Sequence, residues 1–283
     1  MNELSKREMR TVFCETLMNM AENDQKVIVL DADLMLAMGT IPFREKYPER
    51  TFDCGVQEAN MIGVAAGLSA TGFIPFAHTF APFASRRACD QIFMSCAYAK
   101  QNVKIVGSDP GITAALNGGT HMPFEDLGIM STIPEITVVE PCDEISLERV
   151  LQLAKETYGT WYIRLRRRQA PIIYGTGAKF EVGKSCMLKD VIDMWCLKPI
   201  DENAIIKAAE ETGAIVTAEN HNIRNGLGSA VASVLALKYP VPLEMTGVQD
   251  EFGEVGQEAY LEERFGLTSE NIVHKVNMVL KRK

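Results

Sequence analysis

Glu58 is the first residue along the chain whose position suggests chemistry. It lies in the segment CGVQEAN, residues 54–60, and begins a glycine- and alanine-rich stretch, residues 58–72, whose pattern predicts a helix. A carboxylate at a helix N-terminus interacts favourably with the helix dipole, so a purely structural role explains it. A carboxylate in that place can also exchange a proton with a bound molecule.

Two phenylalanines follow in the segment HTFAPFASR, residues 78–86. Phe80 and Phe83 are three residues apart, and on one helical turn their rings would face the same way. Ordinary core packing is the usual explanation for an aromatic pair at this spacing. The functional alternative is a surface on which a flat heterocycle stacks.

Polar and basic segments follow two later strands. The loop SDPGITAALNGGTHM, residues 108–122, is unusually long, and loops of this length are either functional or disordered. Its His121 could move protons near neutral pH, although a lone histidine is more often structural. Residues 164–168 contain four arginines. A solvated basic face is the default interpretation, but the planar arginine fork also binds phosphate, sulfonate or carboxylate.

The elements that must position these residues alternate between strands and helices. A Ser5-x-x-Glu8 capping box predicts the start of the first helix. Continuous apolar runs that alternate with helices are typical of a parallel sheet covered on both faces, which predicts an α/β fold. The runs that predict strands in the first part of the chain are KVIVLD (26–31), RTFDC (50–54), FIPFAH (73–78), NVKIVG (102–107), ITVVE (136–140) and TWYIRL (160–165).

The chain is predicted to form two domains. Residues 1–168 form the first, and residues 169–185, which lack a helical period and are rich in glycine and proline, form a linker. Residues 186–283 form a smaller α/β domain. Ligands of open α/β sheets bind beyond the carboxyl ends of the strands. The polar loops of the first domain all follow strands, so we expect the chemistry there.

Composition excludes several classes of protein. The 283 residues carry 29 basic and 37 acidic side chains, a formal net charge of −8, which argues against general binding to nucleic acid or to a membrane surface. The seven cysteines include no C-x-x-C pair, which favours reduced thiols in a cytoplasmic protein over disulfides or a zinc site. The charged N-terminus MNELSKREMR does not resemble a secretion signal.

Several motifs in this order resemble the C-terminal half of transketolase. They are GVQEANMIGVAAGL, HTFAPFAS, NGGTHMPFED, YIRLRR, LKPID and TAENHNIRNGLGSAV. The match covers nearly the whole chain and is nearest to the split transketolases, which are encoded as two polypeptides. The resemblance implies a pyrimidine-binding domain of the thiamine-diphosphate fold, followed by a transketolase C-terminal domain.

The resemblance also implies roles for individual residues. Glu58 matches the glutamate that hydrogen-bonds the aminopyrimidine of thiamine diphosphate and activates the cofactor. Phe80 and Phe83 match the aromatic pocket around that ring. His121 matches a catalytic histidine that contacts the donor sugar, and Arg167 matches an arginine that contacts the distal phosphate of the substrate.

This chain departs from the family pattern at four places. Asn117 stands where an aspartate is usual, and Asp109 stands where a phosphate-contacting histidine is common. We assign both to the substrate site. Arg86 takes the place of a third aromatic residue. Between Lys184 and Asp193 the family carries a further strand and helix, so the C-terminal domain is predicted to be shortened. A sulfonated or branched sugar is conceivable as substrate.

The diphosphate-binding G-D-G…N signature is missing from this sequence. The resemblance therefore implies that Mg²⁺ and the diphosphate are bound by a separate N-terminal subunit, that thiamine diphosphate is shared between the chains, and that two copies of each chain form a heterotetramer. The expected activity is transfer of a two-carbon ketol unit from a ketose or its phosphate to an aldose or its phosphate. This chain itself is expected to bind no metal.

Two other interpretations stay open. One is a β-type subunit of a 2-oxoacid dehydrogenase, or a relative of deoxyxylulose-phosphate synthase, because these enzymes share the glutamate and the aromatic site. The other is a non-catalytic binding or regulatory paralogue, which the residues Asp109 and Asn117 and the shortened second domain suggest.

Overall fold

The computed structural model describes residues 3–283. The chain clusters into two compact units. The first extends to Asp109 and resumes over Ile129–Val182, and the second comprises Pro110–Gly128 and Gly183–Lys283.

A parallel sheet forms the centre of the first unit. Its strands are ordered β2–β1–β3–β4–β6–β5, and every neighbouring pair is parallel. Strands β1, β4 and β6 are buried along their whole length, which explains why each is a continuous run with little alternation. The predicted α/β fold class is confirmed. The strands are β1 (Val27–Asp31), β2 (Thr51–Asp53), β3 (Ile74–Phe80), β4 (Lys104–Ser108), β5 (Thr137–Val139) and β6 (Trp161–Leu165).

The strand register brings polar residues to one edge of this sheet. Asp31, the last residue of β1, is opposite His78 in β3, and Phe80 is opposite Ser108, the last residue of β4. Ser108 in turn is opposite Leu165, the end of β6. The segments that follow these strands therefore begin side by side.

Helices accompany the strands of the first unit. Helix α1 buries its periodic residues, among them Val12, Phe13 and Leu17, and α7 begins with a capping box made by Asp143 and Ser146. The residue pattern over 84–99 predicts a helix, and this segment is composed of two π-helical segments, Phe83–Arg87 and Ile92–Tyr98, on either side of a short α-helical turn. The helices are α1 (Met9–Asn23), α2 (Met35–Met38), α3 (Ile41–Lys46), α4 (Glu58–Ala70), α5 (Cys89–Gln91) and α7 (Glu144–Glu156), and α6 (Asp126–Thr132) includes residues of both units.

The predicted capping box at the start of α1 is wrong. Glu8 is the N-cap residue without a side-chain cap bond, and the hydroxyl of Ser5 donates to Arg7 O and Glu144 Oε2. The first backbone N–H groups of this helix find tertiary partners instead, because Met9 N donates to Arg168 O and Arg10 N donates to Arg167 O. Those bonds satisfy groups that a capping box would otherwise serve.

The second unit contains a short parallel pair of strands with helices around it. The residue patterns here predict helices over 201–212 and 227–238 and strands over 214–219 and 242–248, and the structure has a helix or a strand at each of these places. A small antiparallel hairpin of residues 186–193 occupies the region where the resemblance implies a further strand and helix. The elements are β7 (Cys186–Leu188), β8 (Val191–Asp193), β9 (Cys196–Lys198), α8 (Glu202–Thr212), β10 (Ile215–Asn222), α9 (Leu227–Lys238), β11 (Leu243–Val248), α10 (Glu258–Arg264) and α11 (Ser269–Leu280).

No helix within residues 3–283 combines the length and the apolar character that a membrane span requires.

Lys104 is a charged residue at the start of β4 that is fully buried. Its Nζ donates to Asn102 Oδ1 at 2.7 Å, Thr157 O at 2.8 Å and Gly159 O at 2.9 Å. Burial lowers the pKa of Lys104 to about 7, from an ordinary value of 10.5. In the folded chain the amine therefore loses its proton at a pH at which the unfolded chain still binds it.

We expect this buried amine to make stability depend on pH. Between pH 7 and 9 the unfolded state binds up to one proton more than the folded state, so the natural chain should lose stability as the pH drops. Relative to Lys104→Met, its free energy of unfolding should decrease by at most about 1.4 kcal/mol per pH unit. Urea unfolding of both proteins at three pH values in this range measures the difference. A difference that is constant with pH would contradict the assignment.

Candidate functional site

Glu58 is the first residue of α4 and only 3% exposed. Its Oε1 accepts a hydrogen bond from Arg87 Nη1 at 3.0 Å, and the Arg87 side chain is half-exposed. The carboxylate therefore lies at a helix N-terminus and is paired with a half-exposed cation. Both stabilise a negative charge that burial alone would disfavour.

The two phenylalanines follow this carboxylate in the sequence and lie on different elements. Phe80 ends β3, and Phe83 begins the π-helical segment after Pro82. The expectation that they share one helical turn is therefore wrong. Their ring centroids are nevertheless 6.1 Å apart with the planes tilted by 58°. The guanidinium carbon of Arg87 lies 4.0 Å from the centroid of the Phe83 ring.

Arg167 forms an ion pair with Asp109. Its Nη2 contacts Asp109 Oδ2, and its Nη1 donates to Ala37 O at 3.1 Å. Its guanidinium carbon also lies 5.0 Å from the centroid of the Phe80 ring. Asp109 is 3% exposed and has a positive φ of 55°, a conformation that asparagine and aspartate tolerate better than most residues.

These contacts join five of the predicted site residues into one cluster. Glu58 contacts Arg87, which stacks on Phe83 beside Phe80, and Phe80 contacts Arg167. The series ends at Asp109, which pairs with Arg167. In the first unit a carboxylate, two aromatic rings and an ion pair thus form a continuous surface at the carboxyl edge of the sheet. The predicted residues in this surface cluster are Glu58, Phe80, Phe83, Asp109 and Arg167.

Asn117 and His121 belong to the second unit. Asn117 is exposed at the end of a 3₁₀ segment, Gly111–Asn117. His121 is half-buried, and its Nδ1 is 2.9 Å from Thr120 Oγ1. Their loop is closely packed, since a Cβ atom at Gly119 would lie 2.1 Å from a backbone oxygen. The roles assigned to both residues stay predictions.

Sequence reasoning missed a buried hydrogen-bonded chain at the same sheet edge. Asp31 Oδ2 is 2.8 Å from His78 Nδ1, and His78 Nε2 is 2.9 Å from Ser108 Oγ. All three side chains are fully buried. The signal was available, because each residue lies at or near the carboxyl end of a predicted strand, and those ends meet in a parallel sheet. This chain links three neighbouring strands at the edge where the surface cluster lies.

Arg87 was also missed, although its spacing was informative. It follows Phe83 by four residues, which places two side chains on the same face of a helical turn. The neighbouring Arg86, which takes the place of a third aromatic residue in the family pattern, is exposed, and its Nε donates to Pro82 O at 3.3 Å.

The first unit offers groups that fit an aminopyrimidine ring. A buried carboxylate can hydrogen-bond a ring nitrogen, and the nearby phenyl faces can contact the ring. Among residues 3–283, no group of three or more histidine, cysteine, aspartate or glutamate side chains is arranged to hold a metal ion. The assignment of Mg²⁺ to a partner subunit stays a prediction.

Two family models together match most of the chain. The model of the transketolase pyrimidine-binding domain matches residues 5–172, and the model of the transketolase C-terminal domain matches residues 181–272. The first range contains every residue of the surface cluster.

Individual relatives match over nearly their full length. The chain is 44% identical to the 6-deoxy-6-sulfo-D-fructose transketolase subunit SqwH of Clostridium sp. (strain MSTE9), with 99% of this chain and 97% of that protein covered. It is 29% identical to a subunit of the apulose-4-phosphate transketolase of Phocaeicola vulgatus, with 93% and 94% covered. The first comparison extends over 312 positions. This chain has 283 residues, so the relative carries residues that this chain lacks.

A solved structure agrees with these relatives. It is described as a split gene transketolase in an inactive beta4 tetramer, and it matches with a TM-score of 0.90 and 37% identity over 98% of this chain and 99% of that one. The predicted resemblance is confirmed by both family models, the relatives and this fold. The chain belongs to the transketolase family, as a subunit of the split type that corresponds to the C-terminal half.

Proposed function

We propose that this chain is the C-terminal subunit of a thiamine-diphosphate-dependent transketolase that moves a two-carbon ketol unit from a ketose to an aldose. The observation that carries the proposal is the carboxylate of Glu58, buried at a helix N-terminus within a cluster that includes Phe83. That arrangement supports a proton-exchanging group next to a flat heterocycle.

Each predicted site residue has a distinct role in this proposal. Thiamine diphosphate, when bound, supplies the nucleophilic carbon that takes up the ketol unit. Glu58 holds a proton at the ring nitrogen of the aminopyrimidine. Phe80 and Phe83 contact the ring and exclude water from it. The roles assigned to the remaining predicted residues are contact with sugar hydroxyls for His121 and Asn117 of the second unit, and contact with the distal group of the sugar for Arg167 with Asp109 of the first unit.

The partner of this chain in the proposal is an N-terminal subunit that supplies Mg²⁺ and the diphosphate site. The G-D-G…N signature is missing from the sequence. The beta4 assembly of the solved relative is described as inactive, which supports the idea that such subunits need a second chain. We propose a cytoplasmic heterotetramer with two copies of each subunit. We also propose domain boundaries at 1–168, 169–185 and 186–283, with the last domain shortened.

The two relatives differ in the substrates that their names give. One acts on 6-deoxy-6-sulfo-D-fructose and another on apulose 4-phosphate, by their names. The acceptor and the donor of this chain are therefore proposed only as an aldose and a ketose.

The proposal is tested by mixing this chain with its cognate N-terminal subunit, thiamine diphosphate and Mg²⁺. Donor ketoses are offered with an aldose, and mass spectrometry detects products whose carbon chains differ by two carbons. We expect transfer from the mixture and none from either chain alone. Transfer by this chain alone would contradict the assignment of the diphosphate site.

The same mixture separates the two alternatives. Release of carbon dioxide from pyruvate would favour a 2-oxoacid dehydrogenase or a relative of deoxyxylulose-phosphate synthase. Binding of thiamine diphosphate without transfer to any aldose would favour a non-catalytic paralogue.

Arg87 is expected to compete with the cofactor for Glu58. Its guanidinium bonds the carboxylate and stacks on Phe83, so it occupies the two contacts that the aminopyrimidine needs. Breaking a half-exposed ion pair costs at most about 1 kcal/mol, so Arg87→Ala should lower the apparent Kd for thiamine diphosphate roughly fivefold. Isothermal titration of the mixed subunits measures the Kd.

A matched control for this prediction is Arg264→Ala. Arg264 also pairs with a glutamate, Glu251, and contacts an aromatic ring, Phe265, but it lies in the second unit. That variant should leave the Kd unchanged. A weaker affinity in Arg87→Ala would show that Arg87 helps to bind the cofactor rather than competing with it.

A further inference from the structure

Arg167 is held on three sides within the first unit. Asp109 binds its Nη2, the carbonyl of Ala37 accepts from its Nη1, and the ring of Phe80 lies against its guanidinium. Its backbone carbonyl accepts from Arg10 N, which ties the segment after β6 to α1. The side chain thus has little freedom to leave Asp109 for another anion.

The partners of Arg167 are themselves anchored by the buried chain of Asp31, His78 and Ser108. Ser108 immediately precedes Asp109, and its hydroxyl contacts His78. At the other end of this chain, Asp31 Oδ1 accepts from Leu34 N, which begins the turn that presents Ala37 O. The ion pair is therefore built into the sheet edge and is not a contact between two flexible surface side chains.

The charge balance of the pair limits which anion it can attract. The positive charge of Arg167 is matched by the negative charge of Asp109, and the Asp109 carboxylate is almost fully buried. The remaining N–H donors of Arg167 can still bond an oxygen, but a second negative charge would lie close to the Asp109 carboxylate, where repulsion is strong.

We propose that Asp109 determines substrate specificity by neutralising Arg167, so that the site prefers a sugar whose distal group carries one negative charge, such as a sulfonate, over one with a phosphate dianion. A sulfonate carries a single charge, whereas a phosphate monoester carries nearly two at neutral pH. This inference rests on the proposed function, because it assumes that the pair faces the sugar.

The test compares two donors with the same carbon skeleton, 6-deoxy-6-sulfo-D-fructose and D-fructose 6-phosphate. Glycolaldehyde serves as an uncharged acceptor, so only the distal group of the donor differs. With the mixed subunits, we expect kcat/KM to be at least about tenfold higher for the sulfonate. Isothermal titration without acceptor should show the same order of affinities, so the comparison does not depend on turnover.

Asp109→Asn is the informative variant, because asparagine tolerates the left-handed backbone at this position. It should lower the ratio of kcat/KM for the sulfonate to kcat/KM for the phosphate at least about tenfold, mainly through a lower KM for D-fructose 6-phosphate. Asp33→Asn is the matched control, since Asp33 is also a left-handed aspartate just after β1 but is exposed. In Asp33→Asn the ratio of the kcat/KM values for the two donors should equal that of the natural chain.

The possible failures are distinguishable. Equal or better use of the phosphate by the natural chain, or an unchanged ratio in Asp109→Asn, would overturn the inference while ketol transfer itself supports the proposed function. If neither ketose yields transfer, the proposed function fails, and the affinities from titration still decide whether the ion pair discriminates between the two anions.

Discussion

Glu58→Gln, mixed with the cognate N-terminal subunit, is expected to lose ketol transfer by about 10²–10⁴-fold. Glutamine keeps the size of the side chain and its ability to hydrogen-bond, but it cannot hold and release a proton. The other carboxylate of the cluster, Asp109, is paired with Arg167, so we do not expect it to replace Glu58. The rate of formation of the two-carbon-shifted product measures the loss.

The control for this variant is Glu135→Gln. Glu135 belongs to the same unit and pairs with Lys100, but it is an exposed surface residue. It should retain full activity. Circular dichroism establishes that both variants fold. If Glu58→Gln kept more than a tenth of the natural rate, the proton-exchanging role would be wrong, and the structural explanation of this carboxylate at the helix N-terminus would stand.

His78→Leu is expected to destabilise the first unit by about 3–5 kcal/mol. The substitution leaves the carboxylate of Asp31 and the hydroxyl of Ser108 buried without the imidazole that joins them. A buried charge that loses its partner costs far more than an exposed one, because water cannot replace the lost hydrogen bond.

Unfolding of the first unit can be followed selectively. The chain has two tryptophans, Trp161 in β6 and Trp195 in the second unit, so a Trp195→Phe background leaves one reporter in the first unit. Urea unfolding in that background measures the loss. Ser108→Ala is the comparison, and it should cost only about 1 kcal/mol because it removes one neutral hydrogen bond. Equal losses in the two variants would contradict the importance of the Asp31–His78 contact.

Sequence alone determined the class of fold and most of the elements. Continuous apolar runs such as residues 26–31 and 160–165 can only be satisfied by burial on both faces, and alternation with helices then requires parallel strands. Because the carboxyl ends of such strands meet, the sequence also indicated which loops lie together. The family followed from motifs in order. The comparisons confirm the family.

Local features that depend on tertiary contacts were predicted less well. The capping box at Ser5 fails because backbone carbonyls of Arg167 and Arg168 satisfy the N-terminus of α1. Phe80 and Phe83 approach each other across a strand end and a π-helical segment instead of on one helical turn. In both cases the spacing pattern was present, but the tertiary fold supplied an arrangement that a local rule did not anticipate.

The tertiary structure decided which charges face one another. From the sequence, Asp109 and Arg167 are separate candidates for contact with a substrate, and Arg87 and His78 carry no assignment. In the folded chain Asp109 pairs with Arg167, Arg87 with Glu58, and His78 with Asp31. These pairs join residues tens of positions apart, and the register of neighbouring strands brings such residues within a few ångströms. Periodicity records whether a residue is buried, but an electrostatic interaction falls off with distance and depends on its surroundings, so only the folded chain sets its sign and strength.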